Sequence, residues 1–252
     1  MALDAFKGEK GEIKIAGGTA HIPVMKEVAA RIMGMNPDIQ ISIAGGGSGV
    51  GVKQVGEGLV DIGNTGRTPT EEEVKQYGLQ MFKWAIDGVA IVVNPANKVR
   101  SLSQDQAAAI FAGKITNWKE VGGDDKQINL YTRDEASGTR EVFWEKALKK
   151  GDIAATANVI VSNGAMKGAV SQDPYGIGYV SVGHIDETVA PVAFNGIEPS
   201  MQNVKDGKYP VARGLFSNTK GEPAGLVKKF IDYLFTEEGQ QIVVEKGFIS
   251  VR

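Results

Sequence analysis

The chain has 252 residues, 42% of them hydrophobic, with 28 Lys and Arg against 30 Asp and Glu for a net charge of −2. That length suits two modest domains or one large one, and the charge balance lacks the basic excess of a nucleic-acid binder. With no cysteine and only His21 and His184, disulfides, zinc thiolates and cysteine nucleophiles are excluded and little is left for a metal centre; no apolar run reaches the ~18 residues of a membrane span.

In chain order, Glu12 to Ala16 alternates like a strand, and Gly17-Gly18-Thr19-Ala20 turns it into a helix with Val24, Val28 and Ile32 on one face. Ile39 to Ile43 alternates again and runs into Gly45-Gly46-Gly47-Ser48-Gly49, after which Val52, Val55 and Leu59 mark a second helix face. Asp61-Ile62-Gly63 is a short strand, and Thr70 with Glu73 has the spacing of a capping box. Asp87 to Val93 is a nearly unbroken apolar run suited to a buried strand. Ser103 with Gln106 opens a helix ending near Phe111, Ser162-Asn163-Gly164 opens another, and Ile177 to Val180 and Tyr209 to Phe216 read as strands. Leu226, Val227, Phe230, Ile231 and Leu234 share one helix face, and Thr236 starts a last short helix. Strands alternating with helices predict an α/β fold in which ligands sit beyond the carboxyl ends of the strands.

One stretch reads as an anion grip. After a strand over Gln127 to Tyr131 comes Thr132-Arg133-Asp134-Glu135-Ala136-Ser137-Gly138-Thr139-Arg140, and then the helical stripe of Val142, Phe143, Trp144, Ala147 and Leu148, in a helix expected to reach Lys150. A helix start offers backbone N–H groups without intrahelical partners and the positive end of the peptide dipoles. Gly138 leaves the approach open, Arg133 brings a planar cationic fork, and Glu135 is placed to hold that fork by pairing with it. Taken alone, Ser137 and Thr139 read as plain caps. The case for an anion rests on repetition, since the Gly17 and Gly47 units have the same strand, small-residue turn and helix.

Catalytic readings fare poorly. The glycines from Gly45 to Gly51 fit neither dinucleotide nor phosphate-loop spacing, and Val50 stands where a nucleophile elbow needs glycine. His21, at a helix start, reads as a solvated or capping residue and His184 as an exposed loop residue. Trp84, Trp118 and Trp144 read as packing, and no general base or activated nucleophile presents itself.

Several motifs taken in order resemble one family: Gly17-Gly18-Thr19, Gly47-Ser48-Gly49-Val50-Gly51-Val52-Lys53-Gln54, Val60-Asp61-Ile62-Gly63, Ile110 to Trp118, Arg133 to Thr139, Ala165 to Val170, Ile177-Gly178-Tyr179-Val180 and Tyr209 to Arg213. Over nearly its whole length the chain is similar to the phosphate-binding proteins that feed phosphate ABC importers, which are two-lobed periplasmic solute-binding proteins. The resemblance implies two mixed sheets flanked by helices and a type II-like hinge, with residues 1–86 plus 212–252 in one lobe and 87–211 in the other. It implies Thr19, Ala20 and Ser48 as ligand groups from the first lobe and Arg133, Ser137, Gly138 and Thr139 from the second, around inorganic phosphate in an interlobe cleft. It further implies no catalysis, no cofactor and no metal, a monomer that meets permease subunits, no nucleic acid, and an extracytoplasmic protein whose export segment is absent from this chain. One position departs from the pattern. Many members carry an aspartate that accepts a proton of the bound phosphate where this chain has Gly66, followed by Arg67. That leaves sulfate or another tetrahedral oxyanion as the alternative ligand, and gives Arg67 two readings: a second cation at the ligand, or a solvent-facing salt bridge to the Glu71–Glu73 turn.

Overall fold

The computed structural model describes residues 1–252. The chain forms two compact units, Met1–Ile86 with Gly214–Arg252, and Asp87–Arg213. Along the first lie β1 (Gly11–Gly17), α1 (Ile22–Met35), β2 (Ile39–Gly46), α2 (Ser48–Gly56), β3 (Ile62–Thr65), α3 (Glu71–Tyr77) and the start of β4 (Leu79–Val93). The second unit takes the rest of β4, then β5 (Ser101–Leu102), α4 (Gln104–Phe111), β6 (Asn129–Arg133), α5 (Gly138–Lys146), β7 (Asn158–Ile160) and α6 (Asn163–Ser171). It continues through β8 (Gly176–Ser181), β9 (Ala190–Pro191), β10 (Ala193–Phe194) and α7 (Met201–Lys205). Strand β11 (Ala212–Lys220) carries the chain back, and α8 (Gly225–Leu234), α9 (Glu237–Glu245) and β12 (Ile249–Ser250) complete the first unit.

Each unit has a mixed sheet. In the first, β1 pairs in parallel with both β2 and β3, β11 lies antiparallel to β3, and β12 lies antiparallel to the first part of β4. The expected helix stripe of Val24, Val28 and Ile32 is fully buried and packs with Ile13, Trp84, Phe230, Leu234 and Phe248 in one core. In the second unit β4 is antiparallel to β8, β8 is parallel to β6, and β6 is parallel to β7. Phe111, Phe143 and Tyr179 pack together there, with the Phe143 and Tyr179 rings stacked 4.1 Å apart.

Several boundaries differ from the sequence reading. The grip strand runs two residues later, over Asn129–Arg133. Helix α5 stops at Lys146 because Lys149 and Lys150 adopt left-handed backbone (φ 50° and 62°) and reverse the chain. Helix α2 ends at Gly56, so Leu59 lies beyond it and is 60% exposed. The strand placed over Tyr209 to Phe216 begins at Ala212, since Pro210 has no N–H for a ladder. Strand β4 starts at Leu79, where an irregular polar and apolar order hid it.

Candidate functional site

In the first unit, three turns at the carboxyl ends of β1, β2 and β3 are tied together. The Gly47 N–H bonds Gly17 O (3.0 Å), the Gly18 N–H bonds Asn64 O (2.9 Å), and the Gly66 N–H donates to Ser48 Oγ (2.9 Å). This brings Thr19, Ala20, Ser48 and Gly66, all buried, onto one end of one sheet. Ser48 is the first residue of α2, reached through Gly47 at φ 94°, a conformation that favours glycine. His21 is neither solvated nor a side-chain cap. It is fully buried, its Nε2 lies 2.9 Å from Thr65 O, and its ring meets Trp84 edge-on. A carbonyl accepts only, so Nε2 carries the proton and His21 is a tie between two of the turns.

Arg67 makes the salt bridge, as a largely buried pair rather than one facing solvent. Its Nη1 and Nη2 donate to the two Glu73 carboxylate oxygens at 2.6 and 2.9 Å, while Glu73 also closes the capping box with Thr70. Burial alone pushes the Glu73 carboxyl up, but the Arg67 and Thr70 hydrogen bonds outweigh it and hold the carboxyl below its ordinary range.

In the second unit, β6 ends at Arg133 and α5 begins at Gly138, capped by Ser137, whose Oγ accepts from the Arg140 N–H at 3.0 Å. The first intrahelical bond is that of Glu141 to Ser137 O, so the amides of Gly138 and Thr139 precede the ladder. Arg133 is 1% exposed. Its Nε donates to Ile160 O at 3.1 Å and its Nη2 to Val161 O at 3.4 Å, while Nη1 has no hydrogen-bond partner in the protein. Burial pushes the pKa of this guanidinium down, with Asp134, 3.8 Å from Nε, acting against it. A buried arginine whose Nη1 has no partner in the protein, on the same strand-to-helix turn as two unladdered amides, has the chemistry to suit an anion.

Glu135 does not pair with Arg133. The Ser137 N–H bonds back to Asp134 O, and Glu135, in the middle of that turn, is exposed. It lines instead an open cavity of about 350 Å³ with Arg140, Glu141, Trp144 and Lys150, a cavity that leaves out Arg133 and Thr139. His184 also departs from its exposed-loop reading, being half-buried at the end of a short 3-10 turn.

Sequence reasoning missed the support beneath the grip. Arg213 Nε donates to Asp87 Oδ2 at 3.0 Å, and Arg213 Nη1 donates to Thr139 Oγ1 at 2.9 Å. Ser181 Oγ donates to the same Asp87 oxygen, and Tyr179 OH accepts from the Arg133 N–H. The available signal was one lone charge of each sign in apolar strands, Asp87 opening one and Arg213 inside Val211-Ala212-Arg213-Gly214-Leu215. Such charges need a buried partner.

A PBP superfamily domain model matches residues 6–238. The phosphate-binding protein PstS of Bacillus subtilis is 39% identical over 254 residues, covering 98% of this chain and 84% of that protein. A Clostridium perfringens phosphate ABC transporter substrate-binding protein with bound phosphate is 34% identical, with a TM-score of 0.90, covering 96% of this chain and all of that one. An ABC-type phosphate transport receptor from Vibrio cholerae is also 34% identical, with a TM-score of 0.76 over 94% of this chain and 99% of that one. With these relatives matched along nearly their whole length, the chain belongs to the PstS family of substrate-binding proteins within the PBP superfamily.

Proposed function

We propose that this chain captures inorganic phosphate and delivers it to the permease subunits of an ABC importer, acting outside the cytoplasm as a monomeric carrier. The observation that carries the proposal is Arg133, a buried cation whose Nη1 amino group, with two N–H donors, is unused by the protein, set on the turn that leads into the start of α5. Its relatives are named for phosphate, and one was crystallised with phosphate bound. The proposed ligand shell is Arg133, Ser137, Gly138 and Thr139 of one unit with Thr19, Ala20, Ser48 and Gly66 of the other. Arg67, beside Gly66, is paired with the Glu73 carboxylate and is not counted in this shell. The carrier reading also holds that a generic phosphate ester is not turned over.

Arg133→Met tests this directly. Charge-assisted hydrogen bonds contribute about 1.5–3 kcal/mol each, so losing two from a dry site weakens phosphate binding at least about a hundredfold in calorimetry. Met fills similar space and removes a buried charge, which offsets the loss of the Ile160 and Val161 contacts, so the unfolding midpoint without ligand stays within a few degrees of the parent. Binding within threefold of the parent would refute the role of Arg133.

A further inference from the structure

Beneath Thr139 lies a hydrogen-bond arrangement that fixes which way its hydroxyl proton points. Asn163, the first residue of α6, is fully buried, and its Oδ1 accepts the backbone N–H of Ser181 at 2.9 Å. An amide N–H cannot face an NH2 group, so this bond settles the orientation of the side chain and turns Nδ2 toward Thr139 Oγ1, 3.2 Å away. On another side, Nη1 of Arg213 stands 2.9 Å from the same oxygen, and a guanidinium has donors only. Arg213 is itself anchored, with Nε and Nη2 at 3.0 and 2.9 Å from Asp87 Oδ2. Both lone pairs of the Thr139 hydroxyl are thereby occupied, and no acceptor in the protein takes its proton.

We propose that Asn163 and Arg213 are positioning residues that make the Thr139 hydroxyl an obligate donor to the bound anion. The inference rests on the phosphate-binding reading above. It assigns Thr139 to an unprotonated ligand oxygen, so recognition of a ligand proton falls to hydroxyls with a lone pair to spare, such as Ser137 and Ser48, each of which accepts one backbone N–H.

The test is a double-mutant cycle on phosphate affinity at pH ~8, with Asn163→Asp and Thr139→Val. Aspartate keeps an acceptor for the Ser181 N–H but presents a second acceptor to Thr139, so the hydroxyl turns inward and offers the anion a lone pair. Any direct repulsion between the new carboxylate and phosphate, and any loss of packing, acts in both backgrounds. The expected result is that Asn163→Asp weakens phosphate binding at least about tenfold more in the Thr139 parent than in the Thr139→Val background, and that Thr139→Ser, which retains the hydroxyl, restores the difference. Equal losses in the two backgrounds overturn the proposal and leave Asn163 a structural residue. If Asn163→Asp does not fold, Arg213→Lys takes its place in the cycle. Lysine keeps a cation for Asp87 without a fork that reaches both partners, and a background difference of at least about threefold is expected, equal losses again overturning the proposal. Failure of the parent to bind phosphate at all would instead count against the phosphate-binding reading.

Discussion

At the residue scale, Glu73 joins two devices, a helix cap and an ion pair. Thr70 and Glu73, three residues apart, announce their capping box in the sequence, and the structure adds Arg67 to the same carboxylate. Glu135 fails for a related reason: two residues from Arg133 suggests a pair, but the turn at Asp134 to Ser137 sends it outward. Asp87 and Arg213 lie 126 residues apart, so nothing local marks them as partners. The Arg67–Glu73 pair is predicted to make stability depend on acidity. Its carboxyl is held below the ordinary value of 4.5, so the stabilisation is fully present above that value and lost as the pH falls through the lower, folded one. Glu73→Gln is expected to lower stability by about 0.5–1 kcal/mol at pH 7 through loss of the ion pair with Arg67, since glutamine still closes the capping box with Thr70. In urea unfolding its difference from the parent should close as the pH drops below 4.5. A gap that is unchanged in acid would contradict this account.

At the scale of elements, the glycine run after β2 shows what spacing conceals. Read alone, Gly45 to Gly51 invites a nucleotide motif. Folded, its last glycine is a packing device. A methyl group on Gly51 would lie 2.5 Å from Asn64 O and 3.0 Å from Gly17 Cα, and one on Gly17 would lie 2.4 Å from the same carbonyl. Helix α2 therefore rests directly on the backbones of β1 and β3, which holds Ser48 beside Gly66. The contact joins three segments, so no single one of them carries its signature. Because the obstacle is backbone rather than a flexible side chain, Gly51→Ala is expected to cost about 1–3 kcal/mol of stability. It should also weaken phosphate binding severalfold by displacing the start of α2. A variant as stable as the parent would show that α2 can move away from the sheet without cost. Helix faces built from one segment, such as Val24, Val28 and Ile32, were legible because their period needs no partner to be seen.

At the scale of the whole molecule, the chain passes between its two units at Ile86/Asp87 and again at Arg213/Gly214. Asp87 and Arg213, the first and last residues of the central unit, form its buried ion pair. A ligand that binds only the folded protein stabilises it by about 2.7 kcal/mol at a hundred times its dissociation constant. If residues of both units hold one anion, saturating phosphate should slow amide exchange at both Gly18–Ala20 and Gly138–Arg140. Protection confined to the second stretch would restrict the proposed shell to the central unit. The central claim remains that this chain is a phosphate carrier despite glycine at position 66. Its most direct test is calorimetric titration of the ligand-stripped protein with phosphate and with sulfate at pH ~6 and ~8, a range in which phosphate changes its protonation. The account predicts tight one-to-one phosphate binding, with sulfate at least about a thousandfold weaker, a gap of about 4 kcal/mol. Sulfate binding as tight as phosphate, or tighter, would contradict it.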